Sequence, residues 1–218
     1  PIDGTIFALT FDDLVALDGG SGQELWRQDL NLVLTDAADE ALSAAGSNLI
    51  LAGRPVRRID PATGDVLAEY ATSSSDIRAL VATASAAYVG LVDGLVGLST
   101  PGLTALWTLP TGGRQVDNLA LGAGMLAYSI LGGGIAAADA SGNPAGAAEE
   151  GEIFQHVAVT GDRIFGVRAD GHLAAWDLAT FASCTADAAC AVAWEVGNND
   201  PTADALVLAD PNLYLVNG

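Results

Sequence analysis

The 218-residue chain reads as an all-β fold of short antiparallel strands in groups of four. Three observations predict this. No window of twelve or more residues carries apolar positions at three-and-four spacing between helix caps, so helical periodicity is absent. An Asp/Gly/Ser turn flanked by apolar alternation recurs at Asp18, Asp60, Ser99, Asp139 and Asp177, with intervals of 42, 39, 40 and 38 residues. A period near 40 is what four short strands and their turns occupy. Finally, an apolar alternation precedes each anchor or follows the last, beginning at Ala41, Ala79, Asn118, His156 and Ala205. The last of these intervals is longer by about ten residues, so an insertion lies between two strands of the fifth repeat.

The elements follow in order. "LVAL" before Asp18 suits a half-buried strand, "DGGSG" supplies turn residues that tolerate positive φ, and "ELWRQDL" resumes the alternation, making a hairpin. A complete unit is clearest in the fifth repeat: "HVAV", a turn at "TGD", "RIFGV", a turn at "RADG", "HLAAWD", and a fourth strand ending at Trp194. The repeats run over about 1–36, 37–75, 76–115, 116–152 and 153–199, with a partial one over 200–218. One four-stranded sheet leaves both faces exposed. Radial stacking of such sheets covers them, which is the β-propeller solution, whereas a sandwich gives no reason for a fixed cycle. The expected architecture is a single propeller domain over 1–218. The chain opens on a second strand, "TIFALT", and closes on another, "NLYLVN". This fits either five blades closed by "ALVLAD" or a slice of a six- to eight-bladed ring. The slice is favoured, because a duplicated second strand has no partner in a five-bladed closure.

Composition narrows the function classes. Eight Lys plus Arg against 27 Asp plus Glu leave a net charge of −19, which argues against nucleic acid or an anionic lipid surface as partner. Cys184 and Cys190 are the only cysteines, and His156 and His172 lie elsewhere in the repeats. A structural zinc site needs four ligands, so the pair reads as a disulfide loop staple of an oxidising compartment rather than a metal site or two free thiols. Closing so short a loop restrains the unfolded chain by only about 2 kcal/mol. Leu119 to Ala138 runs twenty residues without a charge, the length of a membrane helix, but five of them are glycine and the segment falls in phase with the repeat. No transmembrane segment is expected. "PIDGTIFALT" lacks the basic region of a secretory signal, as in a mature product or an excised fragment.

The stretch Ala16 to Trp26, "ALDGGSGQELW", resembles the A-x-D-x-x-[ST]-G-x-x-x-W signature of the pyrroloquinoline-quinone-type (PQQ-like) β-propeller repeat family at every fixed place. Later copies erode. The second keeps Asp60, Thr63 and Gly64 but has Ala68 for tryptophan; the third keeps Gly102 and Trp107 with Ser99 for aspartate. The fourth keeps Ala137 and Asp139, and the fifth keeps Ala175, Asp177 and Thr180 before detouring through the cysteine loop to Trp194. Physically, the aspartate accepts turn amides, the glycine (Gly22, Gly64, Gly102) makes a positive-φ corner, and the tryptophan offers a flat face to the next sheet. The resemblance implies blade docking by Trp26, Trp107 and Trp194. Trp176 stands inside a third strand and reads as core.

The family includes quinoprotein dehydrogenases, which clamp the quinone with a disulfide between adjacent cysteines, stack it on tryptophan and coordinate calcium. Here the cysteines are not adjacent, and no acid-base pair stands out. Arg54, Arg57 and Arg58 cluster in "RPVRR", where surface salt bridges are expected ahead of anion binding. Asn199, Asp200 and Asp204 share one loop and are the candidate calcium ligands, off the EF-hand order. No other metal, cofactor or catalytic residue is expected. Rings of this repeat without a cofactor site serve as interaction platforms, of which the propeller lipoprotein of bacterial outer-membrane assembly is the example this chain resembles. The expected function is therefore a non-catalytic, secreted or periplasmic scaffold that binds protein or a cell-envelope polymer, the alternative being a PQQ-dependent dehydrogenase or a fragment of one.

Overall fold

A computed structural model describes residues 2–10, 13–29, 42–72, 77–148, 151–184, 190–197, 205–209 and 212–216. Their strands form antiparallel sheets in chain order. The first sheet holds β1 (Thr5–Leu9), β2 (Asp13–Asp18) and β3 (Glu24–Asp29); the second holds β4 (Leu42–Ala45), β5 (Asn48–Leu51), β6 (Val56–Ile59) and β7 (Val66–Tyr70). The third is β8 (Ile77–Ala82), β9 (Ala86–Leu91), β10 (Gly94–Ser99) and β11 (Ala105–Pro110). The fourth is β12 (Val116–Gly122), β13 (Met125–Ile130), β14 (Gly134–Asp139) and β15 (Pro144–Ala148). In the fifth, β16 (Phe154–Val159), β17 (Arg163–Arg168) and β18 (His172–Asp177) are followed by a short helix α1 (Leu178–Phe181) before β19 (Trp194–Gly197). A two-stranded sheet, β20 (Ala205–Ala209) with β21 (Asn212–Val216), ends the chain.

Strand follows neighbouring strand in every sheet, so each is a meander, its strands joined by short connections except where α1 and the cysteine insertion separate β18 from β19. The uncharged run from Leu119 to Ala138 is the end of β12, all of β13 and most of β14, bent at left-handed Gly124, Gly132 and Gly134. No helix among the described residues is long and apolar enough to cross a membrane. The repeat also shows in its irregularities. The inner strands β8, β12 and β16 each slip register at their start, between Ile77/Ala79, Val116/Asn118 and Phe154/His156. The third strands β2, β6 and β14 slip against the fourth just before their aspartate. Such bulges coil a strand and set the twist of a blade.

Burial runs across each sheet. The middle strands are buried on both faces, with β9, β10 and β14 buried over five of their six residues, while the outer strands β3, β7 and β11 are largely exposed. A strand covered on both faces reads as a continuous apolar run, which is why the uncharged stretch through β13 and β14 reaches the length of a membrane helix in the sequence.

The chain divides into two compact units, residues 1–92 with 96–108 and residues 93–95 with 109–218. Alternation along β5 shows how the first is built. Leu49 and Leu51 join Leu14 and Ile59 in one cluster, with Phe7, Leu9 and Trp26 against it. Ile50, between them, belongs to another cluster with Val56, Leu80, Val89, Leu98 and Leu103. Because successive side chains point to opposite faces, the second sheet is sandwiched between the first and third. The second unit repeats the arrangement. Ile164, Ala174 and Trp176 pack with Ala127, Ile135 and Ala137 of the fourth sheet, whereas Phe165 and Ala175 meet Leu206 and Leu213 of the terminal hairpin. Sheets stacked face to face as four-stranded blades are the β-propeller fold, and the described residues show no second architecture within either unit.

Candidate functional site

The repeated turn between the third and fourth strands is the most conserved geometry within the chain. In the first copy the Asp18 carboxylate accepts the Gly20 amide at 3.2 Å and the Ser21 amide and hydroxyl, both at 2.7 Å. The Asp18 carbonyl takes the Gly22 amide at 2.7 Å, and its own amide reaches the Gln23 carbonyl. Asp60 repeats this with the Ala62 amide at 2.8 Å and with Gly64 on its carbonyl. Asp139 binds the Ser141 and Asn143 amides and the Asn143 side chain in a loop one residue shorter. The Ser21 hydroxyl, then the Ser21 amide, hold the Asp18 carboxyl below its ordinary range; for Asp139 the Asn143 side chain and amide do the same. Both carboxylates are engaged in building a turn.

The third and fifth copies depart. At Ser99 the hydroxyl meets the Thr104 hydroxyl at 2.7 Å, and the left-handed corner falls on Leu103, φ 48°, rather than on Gly102. Leu103 is also buried in the core of the first unit, so tertiary burial holds it in a conformation that glycine would adopt freely. Asp177 caps no amide with its side chain; it lies 3.5 Å from Arg163 and precedes α1.

The tryptophans divide by role. Trp26 donates its Nε1 to the Pro61 carbonyl at 2.9 Å and lies over Gly64, where a Cβ would come within 2.9 Å of the ring. The corner glycine of one blade is thus the seat for the tryptophan of the blade before it. Trp107 covers Gly97 of its own sheet, whose missing side chain admits the indole, and packs against Tyr88 at 5.8 Å. Trp194 packs on Phe165 at 5.9 Å and stays 36 % exposed. Trp176 is fully buried, edge-on to Phe154 and Phe181, and its Nε1 has no hydrogen-bond partner.

These repeated blades, with their aspartate turns and seated tryptophan, meet a direct comparison. A family model, PQQ_2, described as "Outer membrane protein assembly factor BamB", matches residues 2–183. The chain belongs to this family. Among solved structures it is similar to BamB from Moraxella catarrhalis, at 19 % identity and a TM-score of 0.67, covering 89 % of this chain and 59 % of that one. It is also similar to the computationally designed Ika8 protein, at 15 % identity and a TM-score of 0.73, covering 95 % of this chain and 65 % of the other. The chain therefore spans less than two thirds of either structure. No curated protein matches it.

Against the PQQ_2 fold, the remaining candidates resolve as follows. The arginines disperse: Arg57 and Arg58 are neighbours on β6 and face opposite sides, Arg57 pairing with Glu69 at 3.0 Å and Arg58 donating to Asn48 at 3.0 Å. Arg54 instead lines a cavity of about 460 Å³ with Pro55, Glu69, Ala71 and Thr72. Cys184 and Cys190 are joined in a disulfide directly after α1. Asn199, Asp200 and Asp204 lie outside the described residues. The disulfide joins cysteines six apart rather than the adjacent pair expected to clamp a quinone, and among the described residues no three His, Cys, Asp or Glu side chains converge.

One set escapes a reading that follows only the signature. Leu25, Leu67 and Leu106 each directly precede the tryptophan position of an outer strand, and they are 54, 46 and 57 % exposed. The signal was available in the sequence, since aligning the first three repeats places a leucine there every time. Pattern alone does not say that a strand-interior leucine faces water; its place on the outermost strand does.

Proposed function

We propose that the chain is a non-catalytic interaction module that holds a partner protein along the outer strands of its blades, in an extracellular or periplasmic compartment. The observation that carries this is the recurrence of an exposed leucine at one place on β3, β7 and β11. Exposed apolar residues repeated at one position of an outer strand are a surface for a partner rather than for solvent. The family's description as an assembly factor supports the same reading, and the disulfide supports an oxidising compartment. A cell-envelope polymer is the second class of ligand for the same rim.

The test is photo-crosslinking from the outer strands in envelope extract. All eight cationic side chains are arginine, so the chain offers no lysine to amine reagents and a photoreactive side chain at Thr108 is the better probe. A saturable protein adduct that weakens at least tenfold in Leu25→Ser/Leu106→Ser supports the reading. An adduct unaffected by those substitutions, or binding only of purified glycan, refutes it. Titration with pyrroloquinoline quinone and calcium, followed by absorption, tests the dehydrogenase alternative, for which a stoichiometric spectral change is required.

A further inference from the structure

Two joints between neighbouring blades are built in opposite senses. Within the first unit, the first blade supplies Trp26, paired in register with Ala16, and the second blade supplies the glycine seat. Within the second unit, the residue in register with the equivalent Ala137 is Gly146. The fourth blade therefore offers no indole. The filler comes from the fifth blade: α1 lies against β15, and a Cβ at Gly146 (φ 131°) would collide with the Phe181 carbonyl oxygen. Phe181 is fully buried among Ala148, Phe154 and Trp176, with its ring 6.0 Å from that of Trp176. The Phe181 carbonyl accepts the Cys184 amide at 3.0 Å. Cys184 is bonded to Cys190, which itself packs on the same cluster beside the Ala147 carbonyl.

We propose that the Cys184–Cys190 disulfide is a redox-labile latch that holds Phe181 in the joint between the fourth and fifth blades, and that its reduction opens this joint while the sheets stay formed. The latch works because it ties the segment that follows α1 to Cys190, which packs on the cluster together with Val192. α1 has four residues, too short to persist by itself. Cys184 and Cys190 are both half-buried, and of the two Cys190 packs on the cluster, which leaves Cys184 Sγ as the sulfur assigned to attack. An external dithiol, as thiolate, bonds to Cys184 Sγ and displaces Cys190 as a thiolate, which takes up a proton. The second thiol of the reagent then attacks the mixed disulfide, releasing Cys184 as a thiol and leaving the reagent as its cyclic disulfide. Two electrons and two protons pass to the protein.

Hydrogen exchange followed by mass spectrometry on the oxidised and dithiothreitol-reduced protein tests this. Peptides covering Pro144–Ala148 and Leu178–Cys184 should exchange about 30-fold faster after reduction, the ratio expected when a loop this short is uncrosslinked. Peptides from β9 should be unchanged, and reoxidation should restore the original rates. The variant Cys184→Ser/Cys190→Ser should match the reduced protein without reagent. Equal exchange in the oxidised and reduced states overturns the proposal, as does acceleration of equal size in β9, which would mean global unfolding. Should the variant not fold, the reversible cycle on the natural chain decides between these outcomes.

Discussion

The seat of Trp26 yields a quantitative prediction through Gly64→Ala. Gly64 has φ 82°, and an added Cβ would lie 2.9, 3.1 and 3.3 Å from three atoms of the Trp26 ring. Gly22 stands at the same place in the first repeat with φ 72°, and nothing lies within 4 Å of its Cβ position. Alanine in the left-handed region costs about 1–2 kcal/mol at either position. At Gly64 the indole must also retreat. That costs about 1–3 kcal/mol of overpacking and weakens the 2.9 Å bond to Pro61, itself worth about 1 kcal/mol. Gly64→Ala should therefore destabilise by roughly 3–5 kcal/mol and Gly22→Ala by about 1–2 kcal/mol. In a Trp26→Ala background the Gly64→Ala cost should fall to the Gly22 level, a coupling of about 2 kcal/mol. Urea denaturation of the natural chain, Gly22→Ala, Gly64→Ala, Trp26→Ala and Trp26→Ala/Gly64→Ala, followed by far-ultraviolet circular dichroism, reads all of these values. Equal costs for Gly22→Ala and Gly64→Ala, or a coupling near zero, would show that the tryptophan is not seated on the corner and would remove the account of blade docking given above.

Three further outcomes follow from the same geometry. Leu103→Gly should destabilise even though it relieves a left-handed φ, since about 1–2 kcal/mol of backbone strain is recovered against about 3–5 kcal/mol lost by emptying a buried leucine site, so the melting temperature should drop. Trp176→Phe should be milder than a usual large-to-small core change, at about 1–2 kcal/mol in urea unfolding, because it also removes a buried Nε1–H without a partner. Asp18 and Asp139 have folded pKa values below the ordinary 3.8, so the stability they add is fully present above pH 3.8 and is lost as pH falls through their lower folded values. Carboxyl titration by nuclear magnetic resonance should place both midpoints below 3.8, and Ser21→Ala should raise that of Asp18 while leaving Asp139 unmoved.

Much of the fold was legible before any coordinates, for a reason that lies in the repeat. One period of about 40 residues, with apolar alternation and an aspartate turn in each copy, leaves few all-β architectures other than stacked four-stranded sheets. The aspartate of "DGGSG" satisfies amides within five residues, so Asp18, Asp60 and Asp139 do locally what their residue type allows. The disulfide belonged to the same class of local inference, since two cysteines six apart in an inserted loop have few other partners.

Residues whose role depends on a neighbouring blade were not legible. The sequence marks Gly102 as the corner of the third turn, but burial in the core of the first unit places Leu103 there. The cluster Arg54, Arg57 and Arg58 looks like one patch in linear order, and the pleat of β6 sends its members to different surroundings. Phe181 carries no motif at all, yet it fills the place that Gly146 leaves open.

The sequence alone determined the strand period, the turn chemistry and the acidic, lysine-free surface, because each is set by residues within one hairpin of each other. Tertiary structure decided which tryptophans are docks, which leucines meet water and what plugs the fourth blade. Those outcomes depend on the face a neighbouring sheet presents, and a pattern that repeats within one chain segment holds no record of that face.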